Sequence, residues 1–126
     1  MTTIAGRLPV TAGRPALLLS IRAGYGVLLV AAPGAAIRLA TGQPSGRRSR
    51  GVARLLGARH IVQAAITAVA PVPGVLATGA GVDALHTTSM IMLAAIDGSA
   101  RRAALTDALV ESLFAATGFS SATMLG

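Results

Sequence analysis

The chain has little charge, and acidic residues are the scarcest of all. Its 126 residues include four Asp or Glu against eleven basic residues, and charged residues make up 12% of the sequence. An ordinary soluble domain is about 25% charged, whereas 53% of this chain is hydrophobic and its mean hydropathy is +0.70. Because so little polar surface does not cover a water-exposed globule, the composition argues against a soluble enzyme.

Cysteine and tryptophan are absent, and the chain has one Tyr and two Phe. The lack of Cys excludes disulfide frameworks, thiolate metal sites and cysteine nucleophiles. With so few aromatic rings, the chain lacks the stacking platforms on which single-stranded nucleic acids bind, although its net charge of +7 has the right sign. We therefore rank a soluble, basic nucleic-acid binder last and expect no nucleic-acid partner. Membrane topology offers another explanation for the basic residues.

Four apolar stretches are each long enough to cross a bilayer as a helix. A hydrocarbon core of about 30 Å needs about 20 helical residues. The sequence therefore predicts an all-α integral membrane bundle of four transmembrane helices, surrounded by the lipid bilayer. The four-helix domain covers residues 15–120, with helices at about 15–40, 51–70, 75–96 and 100–119, between an N-terminal tail at 1–14 and a C-terminal tail at 121–126.

Turn-forming residues separate these segments. Gly, Pro and Ser precede a burst of Arg in residues 41–50. Pro71 forces the preceding residue out of the helical region and so ends the second segment. The third segment ends at Asp97-Gly98-Ser99. No internal sequence repeat is visible, which indicates one domain.

Two arginines interrupt the first segment. Arg22 and Arg38 are separated by a helical rise of about 24 Å, so we expect them to mark opposite interfaces. A signal peptide is the rival interpretation of this N-terminus, because Arg7 and Arg14 precede apolar residues. Arg22, however, interrupts the apolar core that a signal peptide requires.

Arginine is concentrated in two loops that lie on the same side of the predicted bundle. The positive-inside rule places both loops in the cytoplasm and both termini outside, in a multi-pass protein of the cell membrane. Anionic lipid head groups could also bind there, at about 1 kcal/mol per Arg. The candidates for contact with lipid head groups are Arg47, Arg48, Arg50 and Arg54, near the first loop. The arginines of the second loop are Arg101 and Arg102.

Charged and polar side chains occur inside the predicted spans. Such residues are costly in a bilayer and usually face the interior of a bundle. Antiparallel pairing across the two tight turns places Arg59 and Glu111 level with His86, and Asp83 within one helical turn. We therefore predict one buried polar cluster, whose members are Arg59, His60, Gln63, Asp83, His86, Asp107 and Glu111.

The cluster has a structural interpretation and a functional one. In the first, Asp83 or Glu111 neutralises Arg59, and the other polar side chains hydrogen-bond between helices. In the second, Asp83, His86 and Glu111 carry exchangeable protons or bind a cation beside the fixed charge of Arg59.

Metal, haem and hydrolase chemistry are less well supported by the sequence. The two His and the acidic residues of the cluster offer nitrogen and oxygen ligands, but the Glu-x-x-His pairs of a di-iron bundle are missing. Asp83, His86 and Ser89 have the residue types of a hydrolase triad. Each lies three positions after the last, so successive side chains point in different directions around the helix, and this spacing does not support a triad. We predict no catalytic residues, no cofactor and no bound metal, and therefore no enzyme.

Three short motifs resemble those of small four-span membrane proteins common in actinobacteria, an uncharacterised group loosely related to DoxX-like proteins. The motifs are Gly24-Tyr25-Gly26 followed by Ala32-Pro33, Leu56-Gly57-Ala58-Arg59-His60 with Gln63, and Val82-Asp83-Ala84-Leu85-His86. The resemblance covers most of residues 24–118. It implies a four-helix membrane domain and no particular activity.

The sequence thus favours an integral membrane protein that acts as an accessory or interaction subunit, with other membrane subunits or copies of itself as partners. The alternative is a small homo-oligomeric transporter or channel that moves protons or a small solute past the buried cluster. Water distinguishes the two hypotheses, because a transport site must be reachable from one side whereas structural contacts can be dry.

Overall fold

A computed structural model describes residues 10–125 of the chain and the side chains of residues 16–124. This part of the chain forms five helices and no strand, which confirms the predicted all-α helical bundle. The helices are α1 (Val10–Ala31), α2 (Pro33–Thr41), α3 (Arg47–Val69), α4 (Pro73–Ile96) and α5 (Arg101–Leu125). Of the two predicted tails, residues 1–9 lie outside the described part of the chain, and residues 121–125 continue α5.

The first predicted segment, residues 15–40, is two helices rather than one. Pro33 has no backbone N–H, and its ring disfavours the helical conformation at Ala32, which has φ −135° and ψ 56°. Because α1 from Ala16 and α2 are bent by 105° at this point, α2 lies across the end of the bundle and packs against α3 and α5. Gly42 then ends α2 in the left-handed conformation at φ 72°.

Two helix pairs, α1 with α3 and α4 with α5, make up the bundle. Small residues bring the backbones of each pair close together: a Cβ on Gly57 would lie only 2.6 Å from the carbonyl oxygen of Gly26, and a Cβ on Gly118 would lie 3.0 Å from Ala80. The contacts between the two helix pairs are less extensive and are unevenly distributed. Helices α3 and α4 scarcely touch, although residues 70–72 alone connect them.

A groove of about 970 Å³ remains between α3 and α4. Its walls are mainly apolar, with Leu55, Val62 and Ile66 on one side and Val82 on the other. Within the part of the chain that the structure describes, few of the residues that line it are polar. These polar residues include Arg59, Gln63 and His86. We call this feature the α3–α4 groove.

Length and composition make α4 a possible membrane span, and α1 with α2 a second one if the bent pair counts as a single span. Helices α3 and α5 do not meet the same test of hydropathy and charge. By this measure one or two helices are apolar enough to cross a membrane, rather than the predicted four.

Candidate functional site: a buried charged network

An ion pair links α1 to α4 at the centre of the bundle. The guanidinium of Arg22 donates two hydrogen bonds to the carboxylate of Asp83, one of them to Oδ1 at 3.0 Å. The Arg22 side chain is 6% exposed and that of Asp83 is completely buried. The guanidinium also lies 4.4 Å from the ring centre of Phe114, where a cation–π contact forms with α5. Arg22 therefore does not mark an interface as its place in the sequence suggested.

Arg59 of α3 forms the second ion pair, with Glu111 of α5. Its Nη2 donates to Glu111 Oε1 at 2.6 Å and lies 3.5 Å from Asp83 Oδ1. Gln63, one helical turn further along α3, donates to the same Asp83 oxygen at 3.5 Å. Asp83 accepts hydrogen bonds from Arg22 of α1 and Gln63 of α3, and Arg59 lies nearby. Asp83 therefore joins the two ion pairs into one network.

His60 lies in the part of this network that is most enclosed. Its Nε2 is 2.7 Å from Glu111 Oε1, but the angle at this contact falls outside hydrogen-bond geometry, and its Nδ1 also has no partner. The rings of Tyr25 and Phe114 pack against the imidazole with ring centres 5.2 and 5.3 Å away. His60 is therefore completely buried between two aromatic rings, with Nε2 next to the Glu111 carboxylate.

His86 and Asp107 form a third pair, between α4 and α5. His86 Nε2 lies 2.6 Å from Asp107 Oδ2, and the two side chains are 25% and 15% exposed. This pair is more accessible than the Arg22–Asp83 pair because His86 lines the α3–α4 groove. Together with Arg59, which also lines the groove, it connects the network to the surroundings.

Glu111 also approaches this pair, so that one atom each of His86, Asp107 and Glu111 lie within 4.8 Å of one another. Two ligands of a tetrahedral zinc ion lie about 3.3 Å apart, since each bond is about 2.0–2.1 Å long. The 2.6 Å separation of His86 and Asp107 is instead that of a short hydrogen bond. In this structure the pair is therefore hydrogen-bonded, and the imidazole tautomer decides which side chain donates.

The structure brings the seven predicted cluster residues into one region. Six of them make charged or polar contacts within it, and His60 approaches Glu111 without hydrogen-bond geometry. They are not equally buried, because Asp83, His60 and Glu111 are inaccessible while Arg59 keeps 27% of its side chain exposed.

Arg22 was missed by the sequence analysis. A signal for it was present, because the predicted spans place three carboxylates inside the bundle against Arg59 alone. A further buried cation was therefore required to balance their charge.

The four arginines that we proposed for lipid contact are exposed at one end of the bundle. Arg54 also donates from Nε to the carbonyl oxygen of Val30 at 3.4 Å, next to the C-terminus of α1. In the same way Arg101 donates to the carbonyl oxygen of Ala94 at 3.0 Å, near the C-terminus of α4. These two arginines satisfy carbonyl groups that the helix ends leave without a partner.

No protein-family model, curated protein or solved structure matches the chain. The resemblance to small four-span actinobacterial membrane proteins therefore stays a prediction.

Proposed function

We propose that this chain is an integral, multi-pass membrane protein and acts as an accessory or interaction subunit of a membrane complex. The observation that supports the membrane assignment is the distribution of polar and apolar side chains between the interior and the surface, which is the reverse of that in a water-soluble protein. The three largest fully buried side chains are His60, Glu111 and Asp83, and most buried apolar residues are Ala. Water-soluble domains bury large apolar residues instead and rarely bury a charge.

Large apolar side chains cover the outside of the bundle on several helices. Leu85 of α4 is 70% exposed and Leu109 of α5 is 62% exposed. A lipid environment stabilises this arrangement, whereas water would not. Helices α3 and α5 carry too many charges to be identified as spans by composition, but their charged residues either face the network or lie at the arginine-rich end. These charges therefore do not argue against a span.

The two ends of the bundle differ in charge. One end has α2 with Arg38, the arginine-rich start of α3, and the start of α5 with Arg101 and Arg102. The other end has the α3–α4 turn, which contains no charged residue, and the start of α1, which contains Arg14. This asymmetry supports an orientation with the arginine-rich end in the cytoplasm.

Cysteine labelling tests the orientation, because the natural chain has no Cys. We expect Gln43→Cys, in the exposed α2–α3 loop, to be protected from an impermeant thiol reagent in intact cells. Val72→Cys, in the exposed α3–α4 turn, serves as the matched control and should be labelled. Both should react after permeabilisation. Equal labelling of the two sites in intact cells would contradict the proposed orientation. Release of the protein by alkaline carbonate would contradict the membrane proposal.

The α3–α4 groove supports the role of an interaction subunit. Consecutive helices with a short connection usually pack against each other, but α3 and α4 leave apolar walls that this chain does not cover. A transmembrane helix of another subunit, or of a second copy, has the shape and polarity to fill such a groove. The chain would then complete its packing only in the complex.

A bulky substitution inside the groove tests this role. We expect Val62→Trp to remove the associated chains that co-purify from native membranes, because the new ring occupies the groove. Leu109→Trp, on an exposed face outside the groove lining, is the matched control and should retain them. Purification of the native chain as a lone monomer would contradict the proposal.

A small transporter or channel remains the second candidate function, because Arg59 and His86 both line the groove and are partly exposed. A transported proton or small solute could reach these side chains from the groove. Proton flux in vesicles reconstituted with the pure chain alone, lost in His86→Gln, would favour this function over that of an accessory subunit.

A further inference from the structure

The His86–Asp107 pair differs from the two other pairs in the network because its cation is not permanent. Arg22 and Arg59 stay protonated at any physiological pH, and they pair with Asp83 and Glu111. Among the described side chains, no arginine lies within ion-pair distance of Asp107, whose charged partner is His86. The charge on Asp107 is therefore balanced only when the imidazole carries a second proton.

The charge balance of the bundle interior leads to the same result. The network contains two guanidinium groups and three carboxylates, so it lacks one positive charge when both histidines are neutral. An unbalanced charge inside a bundle of low dielectric constant is costly. One added proton makes the network neutral, whereas one added divalent ion would leave an excess positive charge.

His60 is less suited to hold this proton. Its neighbour Glu111 already has the guanidinium of Arg59 at 2.6 Å. A charged His60 would also direct an Nδ1–H without an acceptor into the pocket of Tyr25 and Phe114. Burial of such a donor without a hydrogen bond is costly.

The geometry points to a proton-binding site formed by His86 and Asp107, which holds one exchangeable proton beside the α3–α4 groove that His86 lines. When the imidazole is doubly protonated, Nε2–H donates to Asp107 Oδ2 at 2.6 Å and the second proton is on Nδ1, and the groove gives access to the site because the His86 side chain is 25% exposed. The site is independent of the proposed accessory role, since it would serve an accessory subunit as a pH-dependent contact and a transporter as a proton carrier.

A second observation supports a missing positive charge at this site. Glu111 Oε2 is buried and has no hydrogen-bond partner, and the Glu111 carboxylate lies close to both members of the pair. An unpaired carboxylate oxygen in a bundle interior stabilises a proton held nearby. Loss of the proton from His86 would leave the charge of Asp107 without compensation, next to a Glu111 carboxylate that Arg59 already neutralises.

Other groups around the pair set how tightly the proton is held. Helix α1 contributes Tyr25, whose neutral phenol lies near the carboxylates of Asp107 and Glu111. It also contributes Arg22, which forms an ion pair with Asp83. Helix α3 contributes Arg59, whose positive charge opposes protonation, and α2 contributes only the exposed Arg38. The charged and titratable groups near the pair are thus Arg22, Tyr25, Arg59, His60, Asp83 and Glu111, whereas the other arginines of α2, α3 and α5 are exposed at the arginine-rich end.

The chain has only two histidines, so nitrogen NMR of the ¹⁵N-histidine-labelled full chain in lipid nanodiscs resolves the proposal. The chain is purified with an affinity tag that contains no histidine. We expect His86 to be doubly protonated at pH 7.5 and His60 to be singly protonated. In Asp107→Asn, the proton affinity of His86 should fall about tenfold or more, because removal of an adjacent opposite charge has that effect.

Asp97→Asn is the matched control, since it makes the same chemical change at the α4–α5 turn outside the network. It should leave both histidine signals unchanged. His86→Gln provides a second measurement: Asp107 should then take the proton itself, so a protonated-carboxyl band appears in the infrared spectrum at pH 7.5 and disappears in His86→Gln/Asp107→Asn.

Three results would overturn the proposal. The first is a singly protonated His86 at pH 7.5 in the native chain, and the second is an unchanged proton affinity of His86 in a folded Asp107→Asn variant. The third is uptake of Zn²⁺ by the native chain that Asp107→Asn abolishes, which would identify a metal site instead.

Discussion

Replacement of Arg22 by methionine should destabilise the protein more than any other single arginine substitution in the described chain. Methionine retains much of the side-chain volume but removes the charge, so Asp83 is left completely buried without its main partner. The remaining donors, Arg59 and Gln63, are each 3.5 Å from Asp83. At that distance a hydrogen bond is weak, and neither donor can replace the pair.

The expected loss follows from the burial of this pair. Removal of one partner of a buried ion pair costs about 3–5 kcal/mol, and the cation–π contact of Arg22 with Phe114 adds about 0.5–2 kcal/mol. For a chain of this size we expect the unfolding midpoint to fall by roughly 10–20 °C. The chain has no Trp, so far-UV circular dichroism in detergent is the appropriate measurement.

A double substitution separates a buried charge from lost packing. Arg22→Met with Asp83→Leu should recover most of the lost stability, because apolar residues can replace a buried pair without a net penalty. Arg38→Met is the matched control on the exposed face of α2 and should change stability by no more than about 0.5 kcal/mol. A loss below about 1 kcal/mol in Arg22→Met, or no recovery in the double variant, would refute the reasoning.

Three further predictions concern other parts of the bundle. Arg59→Ala should be partly rescued by Glu111→Gln in detergent melts, because the double variant leaves no buried unpaired charge; strictly additive losses would mean that the two side chains do not meet. Gly57→Ala should cost about 1–3 kcal/mol, since its Cβ would overlap the backbone of α1, whereas Gly24→Ala, which has open space around it, should cost little in the same melts. Hydrogen bonds from Ser99 lower the pKa of the exposed Asp97 carboxyl, so its contribution to stability should be present near neutral pH and should fade only as the pH drops through this lowered value. Carboxyl NMR measures it, and Ser99→Ala should return the pKa towards its ordinary value.

Much of the fold could be predicted because local signals in the sequence were strong. The absence of Cys and Trp and the scarcity of acidic charge excluded whole classes of protein. Pro71 and Pro73 ended one helix and began the next, where Pro at the first helical position loses no hydrogen bond. The positions of the two turns also set the antiparallel register, which placed Arg59, His86 and Glu111 at the same depth.

The break at Pro33 could not be predicted with equal certainty. A proline inside an apolar stretch either kinks a helix that continues or ends it, and the local sequence is compatible with both outcomes. The packing of α2 against α3 and α5 favours the 105° bend. The apolar residues after Pro33 therefore belong to a helix that crosses the end of the bundle.

The sequence by itself indicated where most of the helices lie, where two of the turns between them lie, and which polar groups are at mid-helix. Only the tertiary structure decided the partners: Arg22 pairs with Asp83, Arg59 with Glu111, and His86 with Asp107. The physical reason is that helical periodicity depends on neighbours within a few residues, whereas each ion pair joins residues at least 21 positions apart. Such contacts depend on the rotation and spacing of whole helices, as does the α3–α4 groove, and these are set by the close glycine contact between α1 and α3 and by the packing of α4 on α5.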